Sequence, residues 1–159
     1  MSSAPESRRG EPKKIVGLAI RTINSAESDP PTAKIPQLWA QFGKERWPER
    51  LEDIGAFGPT IAVYSAYESD GNGSYQLLVG RQVRGSSSVP VPLQVVSTSP
   101  GTYLAFRCSG ALPQAIIDGW GDVWAYFARD DAPARAYTSD FEVYNEAGSA
   151  EIWVAVRDR

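Results

Sequence analysis

Between residues 15 and 22, Val16, Leu18 and Ile20 alternate with Gly17, Ala19 and Arg21, the period of two that marks a half-buried strand. Residues 24–32, with Ser, Asp and a Pro-Pro pair, read as a loop. Ile35, Leu38, Trp39 and Phe42 then fall at helical spacing, which predicts a helix running to about Trp47. Pro36 suits its first turn, where a missing amide donor costs nothing, and Pro48 is expected to close it. Residues 60–67 and 75–83, rich in Val, Ile, Tyr and Leu, flank the polar stretch 69–74 and predict a hairpin.

After a Ser- and Pro-rich connector at 85–92, residues 93–97 suggest a short edge strand, and a turn follows at 99–101. The pattern then repeats. Residues 102–108 read as a strand, and Pro113 begins a helix whose Ile116, Ile117, Trp120, Val123, Trp124 and Phe127 form one wide apolar stripe. Residues 141–145 and 151–156 predict a second hairpin around 146–149. Both halves, about 13–98 and 99–159, thus run strand, amphipathic helix, hairpin, and Tyr64-Ser65-Ala66-Tyr67 can be laid over Phe141-Glu142-Val143-Tyr144. An internal duplication accounts for this order. The predicted fold class is α+β: a pseudo-twofold antiparallel sheet with both helices on one face and a groove between the halves. Residues 1–12 contain almost nothing apolar and are expected to be a disordered leader to a single domain, 13–159.

Composition narrows the chemistry. At 159 residues the chain fits one domain and needs no staples. It has no histidine, which removes the commonest metal ligand, the commonest general base and every Ser-His or Cys-His nucleophile. Its single cysteine, Cys108, has no internal disulfide partner and no evident activating group, and a reducing cytosol is the natural setting. Asp70-Gly71-Asn72-Gly73 lacks the remaining ligands of a calcium loop and reads as a hairpin turn. No metal or cofactor is predicted. Sixteen Lys plus Arg against nineteen Asp plus Glu leave no basic stripe for nucleic acid. The apolar runs are strand-length, far short of the ~20 residues of a membrane helix, and the polar start does not resemble a signal peptide.

Glu142 is the first candidate for function, a carboxylate inside an aromatic strand and two positions from Tyr144, hence on the same face. The alternative is a residue that merely keeps an outward face wet. The aromatic neighbours on that face, and a counterpart in Ser65 beside Tyr67, favour the groove. Phe141, Val143, Tyr64 and Ala66 are then assigned to the other face, under the helices. Trp39 and Trp120 are the helical aromatics placed nearest the cleft, with simple core packing as the alternative for each. Gly119 and Gly121 around Trp120 each cost a helix about 1 kcal/mol relative to Ala, which suggests close approach by another element or a ligand.

Six short stretches in order carry a resemblance over about residues 15–156. They are 18–24 (Leu-Ala-Ile-Arg-Thr-Ile-Asn), 35–42 (Ile-Pro-Gln-Leu-Trp-Ala-Gln-Phe), 62–70, 100–106, 120–127 and Asp-Phe-Glu-Val-Tyr at 140–144. The chain resembles the GyrI-like effector-binding superfamily, most closely its stand-alone, integron-associated type. The resemblance implies a duplicated strand-helix-strand-strand fold that binds lipophilic, often cationic, compounds between its halves. It also implies a central carboxylate, which carries over to Glu142. Relatives include DNA-reading regulators, free-standing multidrug binders and some hydrolases of strained electrophiles. Ala66 stands where an acidic residue is expected, and Glu68 lies on the opposite face from Tyr67, so a second groove carboxylate is not predicted. With no room for a DNA-reading module before residue 15 or after residue 156, direct transcriptional control is not expected.

Three readings follow. The leading one is a cytoplasmic binding protein for aromatic or cationic small molecules, held by Glu142, Tyr144, Tyr67, Ser65, Trp39 and Trp120. It would act by sequestration, or as a sensor with a separate regulatory protein, and either as a monomer or as a homodimer. The second is a cofactor-free hydrolase in which Glu142 directs water and Tyr144 or Tyr67 steadies an oxyanion. The third is a protein-interaction module with a filled, dry groove.

Overall fold

Eight strands form one antiparallel sheet in the computed structural model, which describes residues 4–85, 89–145 and 148–157. In chain order the elements are β1 (Glu6–Gly10), β2 (Lys14–Thr22), α1 (Asn24–Glu27), a 3-10 turn (Pro30–Thr32), α2 (Ile35–Lys44), α3 (Trp47–Glu52), β3 (Phe57–Ser65), β4 (Tyr75–Val83), β5 (Gln94–Ser97), β6 (Gly101–Cys108), α4 (Gln114–Phe127), β7 (Arg135–Tyr144) and β8 (Ala150–Val156). The sheet order is β1-β6-β8-β7-β3-β4-β2-β5. It reads the same from either end when β2 is exchanged with β6, β3 with β7, β4 with β8 and β1 with β5. The halves meet where β3 pairs with β7, with Ala62 opposite Glu142 and Tyr64 opposite Asp140.

Several local expectations are corrected. Residues 6–10 of the expected leader form β1, which pairs with β6 from Glu6 opposite Ala105 to Gly10 opposite Gly101. Backbone pairing at an open sheet edge, not apolar burial, orders this polar segment. Residues 24–32 hold α1 and a 3-10 turn rather than a plain loop. The first long helix ends at Lys44, because Arg46 is left-handed (φ 60°) and redirects the chain. Pro48 therefore sits in the first turn of α3 instead of closing α2. The edge strand expected at 93–97 is present as β5, paired with β2. Met1, Ser2 and Ser3 of the leader, Ser86, Ser87 and Ser88 of the connector, and Glu146 and Ala147 of the second turn lie outside the described residues.

The helices lie on one face. There α2 and α3 cover Val16, Leu18, Ala62, Leu77 and Val79, while α4 covers Leu104, Phe106, Ile152 and Val154. The far face carries its own core of Ile15, Ile61, Val63, Leu78, Tyr103 and Phe141. Two connections between the halves cross it and bind one another, since Lys13 N donates to Thr98 Oγ1 at 2.9 Å and Thr98 N to Lys13 O at 2.8 Å. Lys13 Nζ stands 5.2 Å from the Phe141 ring centroid and 5.5 Å from that of Trp153. Phe141 and Val143, expected under the helices, are thus on the face away from them.

Candidate functional site

Glu142 stands in the middle of the sheet on the helix-bearing face, 2% exposed. Its Oε2 accepts hydrogen bonds from Trp120 Nε1 at 2.6 Å and Tyr64 Oη at 2.7 Å, and its Oε1 accepts one from Tyr144 Oη. These three donors come from α4, β3 and β7, and all are uncharged. Burial raises the Glu142 pKa above the ordinary glutamate range, and the bonds from Tyr144, Trp120 and Tyr64 offset only part of that cost. Burial and the adjacent carboxylate likewise push the Tyr64 and Tyr144 hydroxyls up, so both remain protonated donors.

A cavity of about 290 Å³ opens above this carboxylate. Its floor is Tyr64, Glu142 and Tyr144; Ile35 and Trp39 of α2 form one wall; Ile116, Ile117, Trp120 and Trp124 of α4 form the other. The rings meet mainly edge to face, Trp39 against Tyr144 at 5.0 Å and Tyr64 against Trp120 at 5.2 Å between centroids. Ile117 and Trp124, expected in the apolar stripe under α4, are 58% and 55% exposed and line the groove instead. Gly119 turns the helix's buried side to the sheet. A Cβ there would stand 2.5 Å from Cys108 Sγ, whereas one on Gly121 would meet nothing within 4 Å. Close approach thus explains the first glycine and not the second. Cys108 is buried under α4, and desolvation raises its pKa to about 11, leaving it a neutral thiol.

A second carboxylate, missed in the sequence, lies one pair further along β7. Asp140 is 0% exposed. Its Oδ2 accepts from Arg135 Nη2 at 2.8 Å and from Tyr67 Oη, and its Oδ1 accepts from the backbone N of Ala155 at 2.8 Å. The last bond follows from a break in register between Arg135 and Asp140 against β8, where Tyr137 is left-handed (φ 54°) and the ladder leaves Ala155 without a partner on β7. Burial raises the Asp140 pKa against the opposing pull of Arg135 and Tyr67. Burial works against the Arg135 charge as well, but Asp140 outweighs it and holds the guanidinium charged.

Of the residues named from the sequence, Glu142, Tyr144, Tyr67, Trp39 and Trp120 line the cavity. Ser65 does not. It is buried opposite Ser139, on the face that carries Val63 and Phe141. Tyr64, which strand alternation against Tyr67 assigned away from the groove, binds Glu142 directly. The reason is Ala66, whose left-handed backbone (φ 51°) ends β3 and brings Tyr67 back to the side Tyr64 already occupies. Glu27 was also missed. Its carboxylate caps α2, accepting from Lys34 N at 2.9 Å and Ile35 N at 3.0 Å, and it lines the mouth of the groove.

A family profile of integron-associated effector-binding proteins, Cass2, matches residues 10–156. The chain belongs to this family. An integron cassette protein from the mobile metagenome of Vibrio cholerae superposes with a TM-score of 0.81 at 31% identity, over 98% of this chain and 97% of that one. YobU, a candidate transcriptional regulator of Bacillus subtilis strain 168, is 28% identical over 152 residues, 91% of this chain and 92% of its own length. The structure of SAV2435 bound to tetraphenylphosphonium shares the fold, with a TM-score of 0.78 at 16% identity over 98% of this chain and 94% of that one. The effector-binding family and the α+β fold of the resemblance are thereby confirmed. Among the described residues no helix is long and apolar enough to cross a membrane.

Proposed function

We propose that this protein binds lipophilic organic cations with aromatic groups in the groove between its halves, by sequestration or as a sensor acting through a separate protein. One observation carries the reading: Glu142 is a buried carboxylate at the floor of an aromatic cavity whose hydrogen-bond donors are all uncharged. Three neutral donors orient the carboxylate without cancelling its charge, and a carboxylate has about four acceptor positions. A cation entering the cavity supplies the missing counter-charge, while the faces of Trp39, Trp120, Trp124 and Tyr144 contribute ~0.5–2 kcal/mol each when desolvated. The tetraphenylphosphonium bound by SAV2435, a protein of the same fold, is a ligand of this chemical kind.

The hydrolytic reading has weaker support, because the hydroxyls of Tyr67 and Tyr144 each donate to a carboxylate and are engaged before any oxyanion forms. An open cavity beside Glu142 also speaks against an interaction module with a filled groove. The test is a titration of tryptophan fluorescence with tetraphenylphosphonium and with tetraphenylborate, an anion of nearly the same shape. The cation binds at least about tenfold more tightly in the wild type, and Glu142→Gln narrows that gap. Equal binding of both ions by both proteins would refute a charge-selective groove.

A further inference from the structure

Among the described residues that line the groove, Arg135 is the one cation. It is fixed on one side. Nη2 donates to Asp140 Oδ2 at 2.8 Å, and the guanidinium carbon lies 4.5 Å from the Tyr137 ring centroid and 5.9 Å from that of Phe127. Its other donors are unused. Nε is buried with no hydrogen-bond partner, and Nη1 makes no hydrogen bond among the described residues. Nη1 lies toward the rim, 3.9 Å from where a Cβ on Gly71 would stand, and Gly71 itself lines the groove. A largely buried guanidinium with five N–H donors and so little use of them is costly. Nη1, unlike the buried Nε, is open to the groove, so a ligand atom can accept from it.

We propose that Arg135 Nη1 forms a second subsite, which takes an uncharged acceptor oxygen carried on the arm of a ligand whose cationic centre faces Glu142. The assignment rests on the cation-binding reading above. An amide or ketone carbonyl fits better than a carboxylate, because Asp140 already neutralises the guanidinium while Glu142 and Glu27 also face the groove. Three carboxylates against one guanidinium leave a field that repels a further negative charge. The occupant is thus an elongated cation with a carbonyl arm, its charge over Glu142 on the floor and its carbonyl at Arg135.

Calorimetric titration with three triphenylphosphonium probes tests this, the arms being 3-carbamoylpropyl, its hydrocarbon isostere 4-methylpentyl, and 3-carboxypropyl. The readout is the ratio of amide to hydrocarbon affinity. That ratio falls by about fivefold or more on Arg135→Lys, whose shorter ammonium pairs with Asp140 and leaves no donor at the rim. The double variant Arg135→Met with Asp140→Asn, which leaves no buried charge unpaired, gives the same fall; if it does not fold, the lysine variant alone decides. A ratio unchanged within twofold overturns the subsite while leaving cation binding intact. Tighter binding of the carboxylate probe than of the amide overturns the uncharged-acceptor assignment. Failure of all three probes to bind removes the cation reading, and the subsite with it.

Discussion

Tyr64 donates its hydroxyl proton to Glu142 Oε2 at 2.7 Å across a sequence separation of 78 residues, joining the two halves at the floor of the groove. Trp120 Nε1 reaches the same oxygen from α4 at 2.6 Å. The carboxylate is therefore oriented by both halves at once, and its geometry depends on their junction staying intact.

Glu142→Gln separates binding from stability. Its affinity for tetraphenylphosphonium is expected to drop about thirtyfold, the equivalent of ~2 kcal/mol for losing one side of a desolvated charge pair. Binding by the wild type should also weaken as pH falls through the raised Glu142 pKa, and the variant should show no such dependence. Fluorescence titrations across pH measure both, and a pH-dependent affinity that survives the substitution would assign the titration elsewhere.

The same substitution should stabilise the free protein at neutral pH. Glu142 binds its proton more tightly folded than unfolded, so ionising it costs stability as pH rises from the ordinary 4.5 up through the raised folded value, and the cost is constant above that. Urea unfolding of wild type and Glu142→Gln should therefore show a difference in favour of the variant that grows with pH over this window. A difference that is flat or shrinks with pH would mean that burial does not dominate at Glu142.

Tyr64→Phe removes one of the two donors on Oε2 and favours the protonated acid. The midpoint of pH-dependent cation binding is expected to move to higher pH, with little loss of affinity well above it. An unmoved midpoint would show that Tyr64 does not stabilise the ionised carboxylate.

The two glycines that flank Trp120 should respond oppositely to alanine. Gly119→Ala drives a methyl into Cys108 Sγ and against Ile152 Cδ1, and should destabilise by about 1–3 kcal/mol. Gly121→Ala meets nothing within 4 Å and should stabilise α4 by about 1 kcal/mol. Chemical denaturation of the two variants checks this, and similar effects in both would contradict the packing of α4 on β6 and β8.

Asp140→Asn leaves Arg135 without its countercharge in a buried setting, an expected loss of about 3–5 kcal/mol. Adding Arg135→Met should recover a large part of it, because the unpaired charge disappears. Thermal unfolding of the single and double variants measures the coupling; equal instability of both would place the cost in the lost acceptor for Tyr67 Oη rather than in the ion pair.

The fold class and the groove's central carboxylate were legible because they rest on short-range patterns. Alternation marked the strands, 3.6-residue spacing marked α2 and α4, and an acidic residue between Phe141 and Val143 stood out in an aromatic strand. Parity failed at Tyr64, where counting by twos from Tyr67 put the hydroxyl on the wrong face. One left-handed residue, Ala66, shifts the count, and nothing in the type of an alanine announces a positive φ.

What the sequence determined by itself was composition and local period: no histidine chemistry, two amphipathic helices, paired hairpins, and Glu142 on the same side as Tyr144. What only the tertiary structure decided was partnership. Pairing of β3 with β7 brings Tyr64 to Glu142, the irregular stretch before Asp140 frees Ala155 N and draws Arg135 inward, and α1 carries Glu27 to the start of α2. These are contacts between groups far apart in the chain or displaced by a break in register. They are selected by the need to satisfy buried polar atoms, which no local pattern of apolar positions encodes.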